Sequence, residues 1–194
     1  MPKQSQEDLE VISFKTPREF ENWLKKNHET NGGIWLRLFK KDSKIKTVTY
    51  EEAVKEALCF GWIDGQSNKY DEQSWIQKFT PRRPKSIWAK RNKERIEQLI
   101  KEGRMKPAGM AEVEKAKADG RWNKAYAPPS EMMIPADFLK TLSKNKKAKA
   151  FFDTLNKTNM FAIAFRLQTA KKEETRQRRM KVILTMLAKG EKFH

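Results

Sequence analysis

The sequence predicts an α+β fold in which a small, mostly antiparallel sheet is packed by helices and followed by a basic, all-helical C-terminal unit. Three observations predict it. Residues 34–39 alternate with period two, 62–69 and 74–79 read as two short strands joined by a turn, and capped helical segments lie among them. The run Ala127, Pro128, Pro129, Ser130 ends this mixed pattern, because successive prolines refuse both helix and central strand. Beyond it every apolar stripe is helical, and residues 140–194 hold 15 basic and 4 acidic side chains, +11 of the chain's +17. The expected organisation is an α+β domain at 1–126, a proline-containing linker at 127–134 and a basic helical unit at 135–194.

The elements follow from local chemistry. Leu9 to Phe14 alternates like a short strand. Thr16-Pro17-Arg18-Glu19 supplies an N-cap, a proline at the first helical position and a capping-box glutamate, after which Phe20, Trp23 and Leu24 share one helical face. Asn31-Gly32-Gly33 turns the chain into a strand at 34–39 with both faces partly covered. A second capping box, Thr49-Tyr50-Glu51-Glu52, opens a helix that Gly61 ends. Residues 62–69 and 74–79 read as a hairpin around 70–73, with Trp62, Asp64, Gln66 and Asn68 on one face. Past Pro84 come a helical stripe of Trp88, Asn92, Ile96, Leu99 and Ile100, stopped by Gly103, and a helix at 107–118 closed by Gly120. Four further stripes follow, around Phe138 and Leu142, Phe151 and Leu155, Ile163 and Leu167, and Ile183 and Leu187.

Composition narrows the partners. With 38% hydrophobic and 35% charged residues the surface is heavily charged, yet 11 Phe and 6 Trp argue for a folded core. The charge of +17 and a pI near 9.9 favour anionic partners, an anionic small molecule or nucleic acid. Cys59 stands alone and excludes an internal disulfide, and with His28 and His194 it forms no zinc spacing. No metal or cofactor is expected. No apolar run reaches the ~18 residues of a membrane span and the first residues lack a secretory pattern, so the expected location is cytoplasmic.

Function concentrates between Phe60 and Asn92, where three of the six tryptophans lie. Arg82 and Arg83, between Pro81 and Pro84 and followed by Lys85, form an anion site candidate, since a guanidinium donates two parallel hydrogen bonds to phosphate or carboxylate. The alternative is a basic turn with one arginine paired to Asp64 or Glu94. Trp62, Trp75 and Trp88 suit either a core or a stacking platform. Asp64, among aromatics, is either a salt-bridge partner or a desolvated general base. Ser86 reads as an N-cap, Cys59 as a buried hydrophobe and His28 as a helix C-terminal residue. Arg176, Arg178, Arg179 and Lys181 give a solvated helix face or a phosphate-tracking surface. No phosphate-binding glycine loop, dinucleotide fingerprint, nucleophile elbow, His-Glu-x-x-His or Cys-x-x-Cys is present.

The runs Thr49 to Ala53, Ala57 to Gln66, Phe79 to Trp88 and Glu102 to Gly109, with Ala170-Lys171-Lys172, Glu174-Thr175-Arg176 and Arg178-Arg179, resemble the bacterial YdeI or OmpD-associated family across nearly the whole chain. Ala89 stands where a serine often follows the tryptophan, and Phe165-Arg166-Leu167 replaces a more aromatic stretch. The resemblance implies a bacteriocin-protection or stress-response role. The leading expectation is a non-catalytic protein that binds an anion in a cleft of Trp62, Asp64, Gln66, Arg82, Arg83, Lys85 and Trp88. The alternatives are a nucleic-acid binder using the basic C-terminal helices and an enzyme with Asp64 as general base.

Overall fold

The computed structural model describes residues 9–128 and 131–194, so Pro129 and Ser130 of the expected linker lie outside the described residues. The chain forms two compact units, Met1–Ala125 and Tyr126–His194. The architecture is α+β, with a small mixed sheet and helices in the first unit and four helices among the described residues of the second.

In the first unit β1 (Val11–Ile12) pairs parallel to β2 (Ile34–Phe39), and β4 (Ser74–Pro81) lies antiparallel between β2 and β3 (Trp62–Lys69), in the order β1-β2-β4-β3. Period-two alternation on β2 sends Ile34, Leu36 and Leu38 wholly into the core. Its other face is half covered: the Arg37 guanidinium lies 4.5 Å from the Phe39 ring centroid and 4.7 Å from that of Tyr70, and its Nη2 donates to Asp71 at 2.6 Å.

The hairpin contains one irregularity that revises the expected face. Asp64 pairs with Phe79 but Ser67 pairs with Gln77, so β3 holds one residue more than its partner across this step. That bulge flips the alternation. Asp64, Ser67 and Lys69 fall on one face with Trp62, whereas Asn68 pairs with Ile76 on the other and Gln66 sits within the bulge. Gln66 and Asn68 therefore do not share the face of Trp62 and Asp64. The carbonyls released from the ladder are claimed by buried Gln77, whose Nε2 donates to Gly65 O at 2.8 Å and Gln66 O at 3.3 Å.

Helices cover the core face. In α1 (Pro17–Asn27) the Thr16 hydroxyl accepts from Glu19 N, while Glu19 itself reaches Lys15 N, one residue earlier than a capping box requires. The box on α2 (Tyr50–Cys59) is complete, with Thr49 and Glu52 bonding reciprocally. A 3-10 turn at Lys41–Ser43 was not legible from the pattern. Beyond β4, α3 (Lys90–Lys101) begins two residues after Trp88 with Ala89 at its N-cap, so Ser86 is not the cap. Trp88 is extended because it is buried, 1% exposed, in edge contact with Trp122 at 5.0 Å. Finally α4 (Pro107–Ala118) crosses α2 so closely that a Cβ on Gly109 would sit 2.3 Å from Cys59 O. Only glycine permits that approach.

The second unit packs α5 (Ala136–Leu142), α6 (Lys146–Phe152), α7 (Lys157–Gln168) and α8 (Glu173–Lys189) around Phe138, Leu142, Phe152, Ile163, Leu167, Met180, Ile183 and Leu187. Asn145 and Asn156 cap α6 and α7 through side-chain oxygens. Asn159, 1% exposed, spends its side chain on the segment after α8: Oδ1 accepts from Phe193 N and His194 N, both at 3.1 Å, and Nδ2 donates to His194 O at 3.2 Å.

Candidate anion-binding site

The residues singled out between 62 and 88 do not converge on one cleft. Trp62 is 1% exposed, donates from Nε1 to His28 O at 3.1 Å and meets Trp23 edge-on at 5.8 Å. Arg82 is 7% exposed with its guanidinium carbon 3.4 Å from the Trp88 ring centroid, a cation stacked on a core indole. Arg83 and Lys85 are exposed in the turn that follows, where Lys85 takes a left-handed φ of 68°. Trp62 and Arg82 do border one pocket of about 220 Å³, at the start of β3 and the end of β4, together with His28, Glu29, Glu112 and Lys115. Its charges are mixed, and Lys115 is already paired to Glu112 at 2.7 Å.

Asp64 belongs to a different cluster. Its Oδ2 accepts the Tyr50 hydroxyl at 2.7 Å. Burial, and then this carboxylate, push the Tyr50 phenol above its ordinary range. Beside them Arg95 is held bidentately by Glu51, at 2.8 and 2.5 Å, and by Asn92 at 2.6 Å. The hydrogen bonds from Arg95 hold the Glu51 carboxyl below its usual range. This cluster ties α2, β3 and α3 together. Cys59 is buried, and desolvation, with Glu56 nearby, pushes its thiol up to about 11, which suits a core residue.

The basic residues of α8 divide. Arg176 is bound by both oxygens of Asp137, at 2.6 and 2.8 Å, and that hydrogen bonding holds the Asp137 carboxyl below its usual range. Lys181 borders a groove of about 550 Å³ with Thr141, Asn145 and Lys189. Arg178 and Arg179 line a separate pocket of about 410 Å³, with Arg166 and Thr169 from α7 and its C-cap, and Phe165 and Phe193 as aromatic walls. The four α8 cations thus make no single row.

That pocket is built by local geometry. Arg179 donates from Nη1 to Arg166 O at 2.7 Å, which ties α8 to the end of α7. Arg166 donates to Ala162 O at 3.4 Å and lies 3.9 Å from the Phe193 ring centroid. Phe165 is fixed from the far side by Tyr126, edge-on at 5.1 Å, and by Phe161 at 5.7 Å. No carboxylate lines the pocket, and among the described residues none pairs with Arg166, Arg178 or Arg179. Neither Arg166 nor the aromatic walls were singled out from sequence. A signal existed: Arg166 is the sole charged residue between Thr158 and Gln168.

Among the described residues no group of His, Cys, Asp or Glu is placed to hold a metal ion, and no helix is long and apolar enough to cross a membrane. No curated protein and no solved structure matches the chain. Two family models do. Residues 12–112 match the one described as Domain of unknown function (DUF8412), and residues 131–190 match Bacteriocin-protection, YdeI or OmpD-Associated. The YdeI resemblance is therefore supported over the C-terminal part, where Ala170 to Arg179 lie, while the runs between Thr49 and Gly109 fall in the match to the other model. The chain belongs to the DUF8412 family, whose model spans just over half of it, and carries after that region a stretch matching the YdeI or OmpD-associated family.

Proposed function

We propose that the chain is a bacteriocin-protection-type protein that works by holding an anionic group in its C-terminal unit, without chemistry of its own. One observation carries this reading: Arg166, Arg178 and Arg179 border one pocket with no carboxylate among its lining residues. Guanidinium forks suit phosphate and carboxylate, and a site whose charged lining residues are all cations attracts anions over the range of the Debye length. The reading moves the anion away from Arg82, which is stacked on Trp88. It also differs from strand-tracking nucleic-acid binding by Arg176, Arg178, Arg179 and Lys181, because Arg176 is engaged by Asp137 and Lys181 borders another groove.

The test is a calorimetric titration of the full chain with inorganic phosphate, alongside binding of labelled single- and double-stranded DNA and RNA from roughly 50 to 200 mM salt. Saturable phosphate binding with weak nucleic-acid affinity supports the reading. Tight nucleic-acid binding that falls by orders of magnitude over that salt range, without phosphate binding, would replace it.

A further inference from the structure

Resting on the anion-binding reading, we propose that the occupant of the Arg166–Arg178–Arg179 pocket is a nucleoside-monophosphate-like molecule, a sugar phosphate monoester that carries an aromatic base.

The charge argument comes first. Three guanidiniums around a single pocket, with no carboxylate among its lining residues, concentrate positive charge where a dianionic group is matched best. A polymer of phosphodiesters needs the opposite arrangement, cations spread along a groove, each meeting one charge. Two of the three arginines are also set before any ligand arrives: Arg179 by the carbonyl of Arg166 at 2.7 Å, Arg166 by the ring of Phe193 at 3.9 Å. Each guanidinium has five N–H donors, so a single backbone bond leaves the remainder for phosphate oxygens. Thr169 donates its hydroxyl to Phe165 O at 2.6 Å and retains acceptor capacity for a ligand hydroxyl.

The ring argument rests on the walls. Phe165 is braced by Tyr126 and Phe161, and Phe193 is placed by the backbone bonds of its own segment to buried Asn159. Val182, 52% exposed, adds an uncovered apolar surface to the same pocket. A bare phosphate would leave these apolar surfaces in water, whereas a planar ring covers them and stacks on either a phenyl or a guanidinium face. The volume of about 410 Å³ lies within the range of small-molecule sites, roughly 300–1,000 Å³.

The experiment is calorimetry on the full chain with four probes: AMP, ribose 5-phosphate, inorganic phosphate and adenosine. AMP is expected to bind about tenfold or more tighter than ribose 5-phosphate, the size of one stacking contact, and adenosine far more weakly than AMP. Phe193→Ala should lower AMP affinity to about that of ribose 5-phosphate and lower phosphate affinity by a smaller factor, since the ring also places Arg166. Equal affinity for AMP, ribose 5-phosphate and phosphate would overturn the ring while leaving the anion reading standing. Adenosine binding as tightly as AMP, or no binding of any phosphate-bearing probe, would overturn both. Unchanged AMP affinity in Phe193→Ala would remove Phe193 from the site and with it this proposal.

Discussion

Asn159 holds the backbone of Phe193 in place, its Oδ1 accepting from Phe193 N at 3.1 Å, and so fixes the ring that lies against Arg166. A core asparagine thereby positions an outer wall of the candidate site. Asn159→Ala is expected to cost about 1–2 kcal/mol of stability, the loss of hydrogen bonds from a buried amide, and to weaken AMP binding as Phe193→Ala does. Chemical denaturation and calorimetry on the same variant check both.

Arg82 and Arg83 are neighbours in sequence with opposite situations. Arg82 lies 3.4 Å from the Trp88 centroid and is buried, whereas Arg83 is exposed. Arg82→Ala should destabilise the first unit by about 2 kcal/mol, the scale of a desolvated cation–π contact with its packing. Arg83→Ala should stay within about 0.5 kcal/mol. Equal effects in denaturant melts would contradict this division.

Glu56 is 7% exposed and paired to Arg104 at 2.5 Å. Burial pushes its carboxyl above the usual range, opposed by the Arg104 charge. A carboxylate whose folded pKa is raised contributes stability that is present below its unfolded pKa and lost as pH rises through the folded one. Arg104→Met removes the opposing charge and deepens that loss. The variant should be about 2 kcal/mol less stable near neutral pH, less than a fully buried pair because Arg104 is 37% exposed. The difference from the parent should shrink as pH falls and Glu56 takes up its proton in both folded proteins. A difference independent of pH would rule out Glu56 as its source.

Gly109 brings α4 against the end of α2, where an added Cβ would meet Cys59 O at 2.3 Å and Leu58 O at 2.8 Å. Both are backbone atoms, so the helices must separate. Gly109→Ala is expected to cost about 3 kcal/mol, at the upper end of overpacking penalties, despite alanine's better helix propensity. A stabilised Gly109→Ala protein would show that the contact relaxes freely.

The sheet and the capped helices were legible because their signals are local. Thr49 and Glu52 form their box as written, and Ile34, Leu36 and Leu38 take the face that alternation assigns. The bulge at Gly65 and Gln66 was not legible, since a polar edge segment fixes no register and the side chain that satisfies it, Gln77, sits eleven residues beyond Gln66. Ser86 looked like a cap because it precedes a helix, but tertiary burial of Trp88 holds the chain extended to Ala89. The arginine pocket escaped for a related reason. Arg166 and Phe193 are 27 positions apart, and only the Asn159 bonds to the segment after α8 bring the ring to the guanidinium.

The most direct measurement is phosphate and AMP binding by the Arg178→Gln/Arg179→Gln protein beside a Lys146→Gln/Lys147→Gln protein, which loses the same charge outside the pocket lining. The pocket account predicts at least about a hundredfold loss of affinity in the arginine variant, as expected for two charge-assisted contacts of roughly 1.5–3 kcal/mol each, and near-parental binding in the lysine variant. Equal weakening in both would mean that net charge, and not the pocket, attracts the anion.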